Sequence, residues 1–196
     1  MAADLNLALR LNKVLFPDLR FSVHPLEDAC MGAFLEAVGN KRAAPRLRCA
    51  MEVSAEEMRD WLSGADEVVL AAAWKPETAS VAIEFARYID GLGKKVSIVG
   101  APRMFHMSDA SYYFAASGLD GGRLQDFMFE RLLPSYWEVR DYLLRIAKEN
   151  PRIGFIDKFS FFCDAGERKC SLYDAKGAPL FHDELHVTVE GAYVYG

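Results

Sequence analysis

An α/β fold with a mainly parallel sheet is what this sequence predicts, and three observations predict it. Two continuous apolar runs of strand length, "EVVLAAAW" (67–74) and "KVSIVG" (95–100), are of the kind a parallel sheet buries on both faces. Between them Val81, Phe85 and Ile89 recur every four residues, so a helix carries the chain back and the three pieces read as a right-handed βαβ unit. Helices and buried strands then alternate almost throughout, with no internal repeat, low-complexity tract or linker. The 196 residues are therefore expected to form one domain, a doubly wound α/β sandwich whose ligands gather at the carboxyl ends of the strands.

Each element has its own signal. Leu5, Ala8, Leu9, Leu11 and Leu15 lie among Asn and charged residues, predicting an amphipathic helix over about 4–16 that Pro17 stops. "RFSVH" (20–24) reads as a short strand, and residues 25–51 as a long connection with one helical turn at "MGAFLEAV". Ser54 and Glu57 have capping-box spacing, so "SAEEMRDWL" starts a short helix. Pro76 and Thr78 open the helix between the two buried strands, and Gly91 and Gly93 end it. After Pro102 comes a loop-like region rich in aromatics, Met and Gly, then the helices "LQDFMFERLL" and "SYWEVRDYLLRIAKEN". "RIGFID" (152–157) is a further strand ending at an Asp, and the last section alternates short strands and turns until Thr188–Gly191 open a final helix.

Composition excludes some functions. A net charge of −5 without any Lys/Arg-rich run argues against nucleic acid or an anionic membrane surface as the partner. No stretch approaches the roughly 18 apolar residues of a membrane helix. Asp4, Asn6, Arg10, Asn12 and Lys13 are incompatible with a signal peptide at the start of the chain. The 4 cysteines allow two readings on spacing alone. Cys163 and Cys170 flank a turn in "CDAGERKC" that could bring them within bonding distance, and Cys30 and Cys49 bracket a stretch with little core of its own; or all are reduced thiols. Neither pair has the short CxxC spacing of a zinc site.

The chemistry-bearing segment is "FHDELHVTVEGA". Asp183 and His186 stand in D-x-x-H relation, which on a turn lets a carboxylate reach the imidazole Nδ1, fix the tautomer and stabilise the imidazolium. A satisfied surface histidine is the structural alternative. His182 and His186 are four apart, as zinc ligands on a helix would be, but the Glu is one place off its H-E-x-x-H position and Pro179 and Val-Thr-Val oppose a helix. Neither a metal nor a cofactor is expected.

The order "GFIDKFSFFC", six residues, then "CSLYDAKGAPLFHDELHVTVEGA" resembles the closing block of the SGNH (GDSL-like) hydrolase domains attached to acyltransferase-3 membrane proteins, the bacterial cell-surface O-acetyltransferases. In that family a strand ending in Asp, a Cys pair, a short hairpin and D-x-x-H-L-S-x-x-G-A recur in this order. Here Val187 replaces Leu and Thr188 replaces Ser. "VVLAAAW" is similar to the family's apolar strand ending in Trp, although Ala73 stands where an Arg is frequent, and "KVSIVGAPRMF" is similar to the strand and Gly-x-x-Pro loop next in order. The implied architecture is a three-layer α/β/α sandwich, flavodoxin-like. "AADLNLAL" matches the residues after the family's G-D-S-H block, so the nucleophilic Ser and the first strand of the sheet are expected to be missing ahead of Ala2. Ser108 and Ser111 sit in a loop and are no substitute, lacking a strand-to-elbow-to-helix setting.

Carried onto matching positions, the resemblance makes His186 the general base for that Ser and Asp183 its orienting carboxylate. Backbone amides near Ala73 and Trp74 become oxyanion candidates, although Trp74 would equally serve to pack the base of the cleft. Tyr112 and Tyr113, with Phe114, are candidates to line a sugar cleft, against the alternative of a buried aromatic cluster. Asp157 is read as structural, bonding to loop amides. An oxidising compartment is implied by the resemblance, and with it the pairs Cys163–Cys170 and Cys30–Cys49. The implied function is O-acyl transfer or ester hydrolysis on a bacterial surface polysaccharide, in a periplasmic or extracytoplasmic part of a membrane acyltransferase. The alternative is a catalytically inactive domain that binds carbohydrate or docks a partner.

Overall fold

The structure is a computed structural model that describes residues 2–15, 17–18, 20–24, 26–40, 49, 53–100, 118–119, 121–183 and 186–194. These group into two compact units, one of Met1–Val23, Ala101–Trp137 and Asp157–Gly196, the other of His24–Gly100 and Glu138–Ile156.

The second unit holds the sheet. Its strands are β1 (Glu67–Ala71), β2 (Lys95–Gly100) and β3 (Ile153–Asp157), in the order β1-β2-β3. β1 and β2 run parallel, in register from Glu67 opposite Lys95 to Ala71 opposite Val99, so the βαβ connection read from the sequence is present. The connecting helix, Pro76–Gly91, begins as its sequence predicts: Pro76 at the first position needs no donor, and the Lys75 amide donates to Thr78 Oγ1 at 3.1 Å. Val81, Phe85 and Ile89 are buried against the sheet side of the core together with Val96, Ile98 and Leu70. β2 and β3 approach so closely that glycine is required twice. A Cβ at Gly100 would overlap the Phe155 ring, and one at Gly154 would meet Ser97.

Three expectations are corrected in detail. "RFSVH" is extended but forms no strand, and Phe21 and Val23 remain 38% and 45% exposed; alternation alone makes no strand where no neighbouring ladder takes up the backbone groups. β1 is not buried on both faces. Leu70 is buried but Val69 is 39% exposed, at a sheet margin where, among the described residues, β1 has a paired strand on one side only. The connection after Pro25 contains a full helix, Asp28–Ala37, rather than a single turn, because Met31, Phe34 and Leu35 form one buried face on the core. Its Cys30 is bonded to Cys49.

The first unit opens with a helix over Ala2–Leu11, followed by a 3₁₀ turn over Lys13–Leu15; the expected single helix over 4–16 is thus divided near Asn12, whose amide Nδ2 caps the Ala8 carbonyl at 3.0 Å. The helix Gly121–Glu130 and the first turn of Pro134–Glu149 supply Leu124, Met128, Phe129 and Tyr136 to its core. A short helix, Phe159–Phe162, leads into the two-stranded antiparallel β4 (Cys163–Asp164) and β5 (Lys169–Cys170), where Cys163 faces Cys170 and the two are joined. Asp164 Oδ1 accepts from the amides of Gly166 and Glu167, which tightens the "AGER" turn and leaves Arg168 at φ 55°.

Candidate active site

From Cys170 onward, each segment is hung on the one before it by backbone hydrogen bonds. The Ser171 amide donates to Phe162 O at 2.6 Å and the Leu180 amide to Leu172 O at 2.8 Å. Between these two, "DAKG" turns because Asp174 Oδ1 accepts from the amides of Lys176 and Ala178, with Gly177 at φ 83°. The chain then folds back again. Phe181 bridges Val187 in antiparallel fashion, the Thr188 amide donates to Leu180 O at 3.0 Å, and the His182 amide donates to His186 O at 2.9 Å. Phe181 and Val187 are buried in the core of this unit, so the loop between them is carried on fixed walls.

Asp183 and His186 occupy that loop. One carboxylate does two jobs: Asp183 Oδ1 accepts the His186 backbone amide at 2.8 Å, and Oδ2 lies 2.8 Å from the ring Nδ1. An ionised carboxylate can only accept, so the proton between them sits on Nδ1 and the neutral ring carries its lone pair on Nε2. The His186 side chain is 44% exposed and that of Asp183 31%, so the ring edge opposite the carboxylate reaches solvent. Chemically, such an arrangement can accept a proton at Nε2, with the adjacent carboxylate stabilising the imidazolium.

After the loop, Val189–Val194 forms the last described helix, which packs against the first helix, Ala2–Leu11; Ala8, Val187 and Ala192 share one core. His186 therefore stands three residues ahead of a helix that packs against the N-terminal one.

The other residues singled out from the sequence fall elsewhere. Ala73 is exposed just beyond β1, while Trp74 is 1% exposed and its indole Nε1 donates to Val99 O at 2.9 Å, so its side chain is core of the sheet unit. Ala73 and Trp74 belong to one compact unit, Asp183 and His186 to the other. Tyr112, Tyr113 and Phe114, and likewise Ser108 and Ser111, lie outside the described residues. Asp157 is the structural residue the sequence suggested: at the end of β3 its Oδ1 accepts from the Phe159 amide at 3.3 Å. Among the described residues, no three His, Cys, Asp or Glu side chains converge as a metal ion would require. The roles of two residues are not evident from the sequence. Thr188 binds both the loop and the helix after it, and Gly191 lies where a Cβ would overlap the Leu180 carbonyl oxygen. The local signs of them are a hydroxyl residue three places before a glycine at a helix start and the place of both in the D-x-x-H-L-S-x-x-G-A pattern.

A D-x-x-H pair on a hairpin, in a chain that also builds an α/β unit on parallel strands, agrees with the class that the sequence resembles, the SGNH hydrolase-like domains. The sequence profile of the family described as "SGNH domain (fused to AT3 domains)" matches residues 16–196, and the chain belongs to that family. Among solved structures, the periplasmic domain of a lipopolysaccharide acetyltransferase from Salmonella ser. Paratyphi A shares the fold with a TM-score of 0.54 at 11% identity, over 86% of this chain and 77% of that one. No curated protein sequence matches the chain. Among the described residues no helix is long and apolar enough to cross a membrane.

Proposed function

We propose that this domain supplies the base and orienting carboxylate of a serine-dependent O-acyltransferase or esterase that acts on acetyl esters and hydroxyls of a bacterial surface polysaccharide. The observation that carries the reading is the 2.8 Å contact of Asp183 Oδ2 with His186 Nδ1, which leaves Nε2 as the proton acceptor at the protein surface. Membership of a family of SGNH domains fused to AT3 domains supports a membrane acyltransferase as the covalent partner. The two disulfides support an extracytoplasmic location, because such bonds persist in oxidising compartments.

The chemistry is that of the pair. His186 Nε2 removes the proton of the serine hydroxyl as its oxygen attacks the acyl carbonyl, and Asp183 stabilises the resulting imidazolium. The imidazolium returns that proton to the leaving oxygen, and an acyl-serine remains. A sugar hydroxyl, or water, then loses its proton to His186 while attacking the acyl-serine; the imidazolium gives that proton to the departing serine oxygen, which releases the acetylated sugar or acetate and restores both the serine and the neutral ring. Tyr112 and Tyr113 are the proposed sugar contacts.

The resemblance of "AADLNLAL" to the residues after G-D-S-H implies a serine ahead of Ala2, so the experiment compares the 196-residue chain with one extended upstream by its own genomic codons. The extended chain is expected to hydrolyse p-nitrophenyl acetate, and His186→Ala is expected to abolish that activity. Loss of a triad nucleophile or base costs about six orders of magnitude in a well-studied serine protease, so the short chain should be nearly inert. Equal hydrolysis by the short chain and its His186→Ala variant, well above background, would overturn the reading. An extended chain that binds surface polysaccharide but hydrolyses nothing would favour the inactive binding domain instead.

A further inference from the structure

We propose that Thr188 is the positioning residue for the base, through a hydroxyl that closes the foot of the loop carrying Asp183 and His186. Its Oγ1 donates to Pro179 O at 2.6 Å and accepts from the Gly191 amide at 3.1 Å. The first bond ties the descending side of the loop to its ascending side, one residue below the Leu180–Thr188 backbone bond. The second is a helix cap, filling one of the unsatisfied donors at the start of Val189–Val194. One hydroxyl thus fixes the loop and the helix in a single frame, and His186 is two residues away from it.

The need for such a tie is visible in the loop itself. The Asp183–His186 pair is held within its own turn, by the carboxylate on the ring and on the His186 amide and by two amides donating to His186 O. Those contacts set the ring against the carboxylate. The loop's two feet carry the pair into the rest of its unit. The feet are held by the Phe181–Val187 bridge, the Thr188 amide and the Thr188 hydroxyl, and Thr188 engages the helix as well, through its hydroxyl to the Gly191 amide and its carbonyl to the Ala192 amide at 2.9 Å. The absence of a side chain at Gly191 completes the device, since a Cβ there would push the helix start off the Leu180 carbonyl. In a triad an ångström of misplacement costs up to about a hundredfold in rate, so a base on a hairpin has use for a tie of this kind.

Thr188's role rests on the reading of His186 as the base, and the experiment reads the imidazole directly so that the two are separable. In the chain as it stands, long-range ¹H–¹⁵N spectra report the tautomer of His186 and the Nδ1–H proton bonded to Asp183, with the signal assigned by its loss in His186→Gln. Thr188→Val keeps the shape and removes both hydroxyl bonds. We expect the Nδ1–H signal to weaken by roughly tenfold, because a loop released at its foot opens more often and the proton exchanges with water. Thr188→Ser should restore it, while the far-UV spectrum stays unchanged in both. A folded Thr188→Val variant with the wild-type Nδ1–H signal would overturn the proposal. Global unfolding of both Thr188→Val and Thr188→Ala at 10 °C would overturn it as well, since it would make the hydroxyl a general structural support and not a local tie. Failure of the acetyl-esterase assay with an intact Thr188-dependent imidazole signal would instead count against the catalytic reading alone.

Discussion

At the scale of single residues, the carboxylate of Asp183 matters more for its charge than for its shape. Asp183→Asn preserves the side-chain volume and one acceptor for the His186 amide, but it presents a neutral amide to Nδ1 and favours the wrong tautomer. In the serine-bearing chain kcat should fall by roughly 10³–10⁴, as in serine proteases given the same change, with little effect on KM. Steady-state hydrolysis of acetyl esters measures both. Gly191 makes the opposite point, since what counts there is the absent Cβ. Gly191→Ala would overlap the Leu180 carbonyl oxygen and should lower stability by about 1–3 kcal/mol. Gly122, within a helix and with open space around its missing Cβ, is the control. Gly122→Ala should raise stability by about 0.5–1 kcal/mol in the same thermal melts.

At the scale of an element, the helix Ala55–Ser63 carries a complete capping box: Glu57 N donates to Ser54 Oγ at 3.1 Å, and Ser54 N donates to Glu57 Oε2 at 2.8 Å. Ser54→Ala should cost about 1 kcal/mol. The reciprocal bond makes this start pH-dependent. The Ser54 amide, and secondarily its hydroxyl, hold the Glu57 carboxyl below its ordinary value of 4.5. A carboxylate depressed by folding stabilises the protein above its unfolded pKa, and that contribution is lost as pH falls through the lower folded value. The difference in Tm between wild type and Glu57→Gln should therefore be present at pH 7 and shrink as pH falls from about 5 to about 3. A difference that grew over that range would contradict the cap.

For the whole molecule, the two disulfides are placed to restrain separate regions. Cys163–Cys170 closes a loop of sequence separation 7 in one compact unit, and Cys30–Cys49 one of 19 in the other. Loop-closure entropy assigns roughly 2–3 kcal/mol to the shorter and about 3 kcal/mol to the longer. Cys163→Ala/Cys170→Ala and Cys30→Ala/Cys49→Ala should each lower Tm, and reductant should act on the parent protein only slowly at the first bond, whose two cysteines are buried in the core. Thiol counting before and after denaturation, with melts of the two double variants, checks both statements. Free thiols in protein taken from its native compartment would remove the argument for export.

Patterns complete within a few residues were legible in the sequence. The Ser54–Glu57 box, the Asp183–His186 pair, the turn between Cys163 and Cys170, and the Pro76 helix start all depend on groups close along the chain, where spacing fixes geometry. The two apolar runs and the helix between them sufficed for a parallel pair of strands, because a crossover of that length allows little else. Other features depended on neighbours distant in sequence. "RFSVH" has a strand's alternation and no ladder; Val69 sits in an apolar run and is exposed; the Trp74 side chain is buried in the core, bonded to the Val99 carbonyl. A strand exists only with a partner, and burial only with something to cover it, neither of which local composition encodes. The sequence by itself determined the contact of Asp183 with His186 and the parallel pair. Only the tertiary structure decided that Val69 lies at a sheet margin, that Trp74 is core, and that Thr188 and Gly191 join the base's loop to the final helix, because each of those is a contact with chain that spacing does not reach.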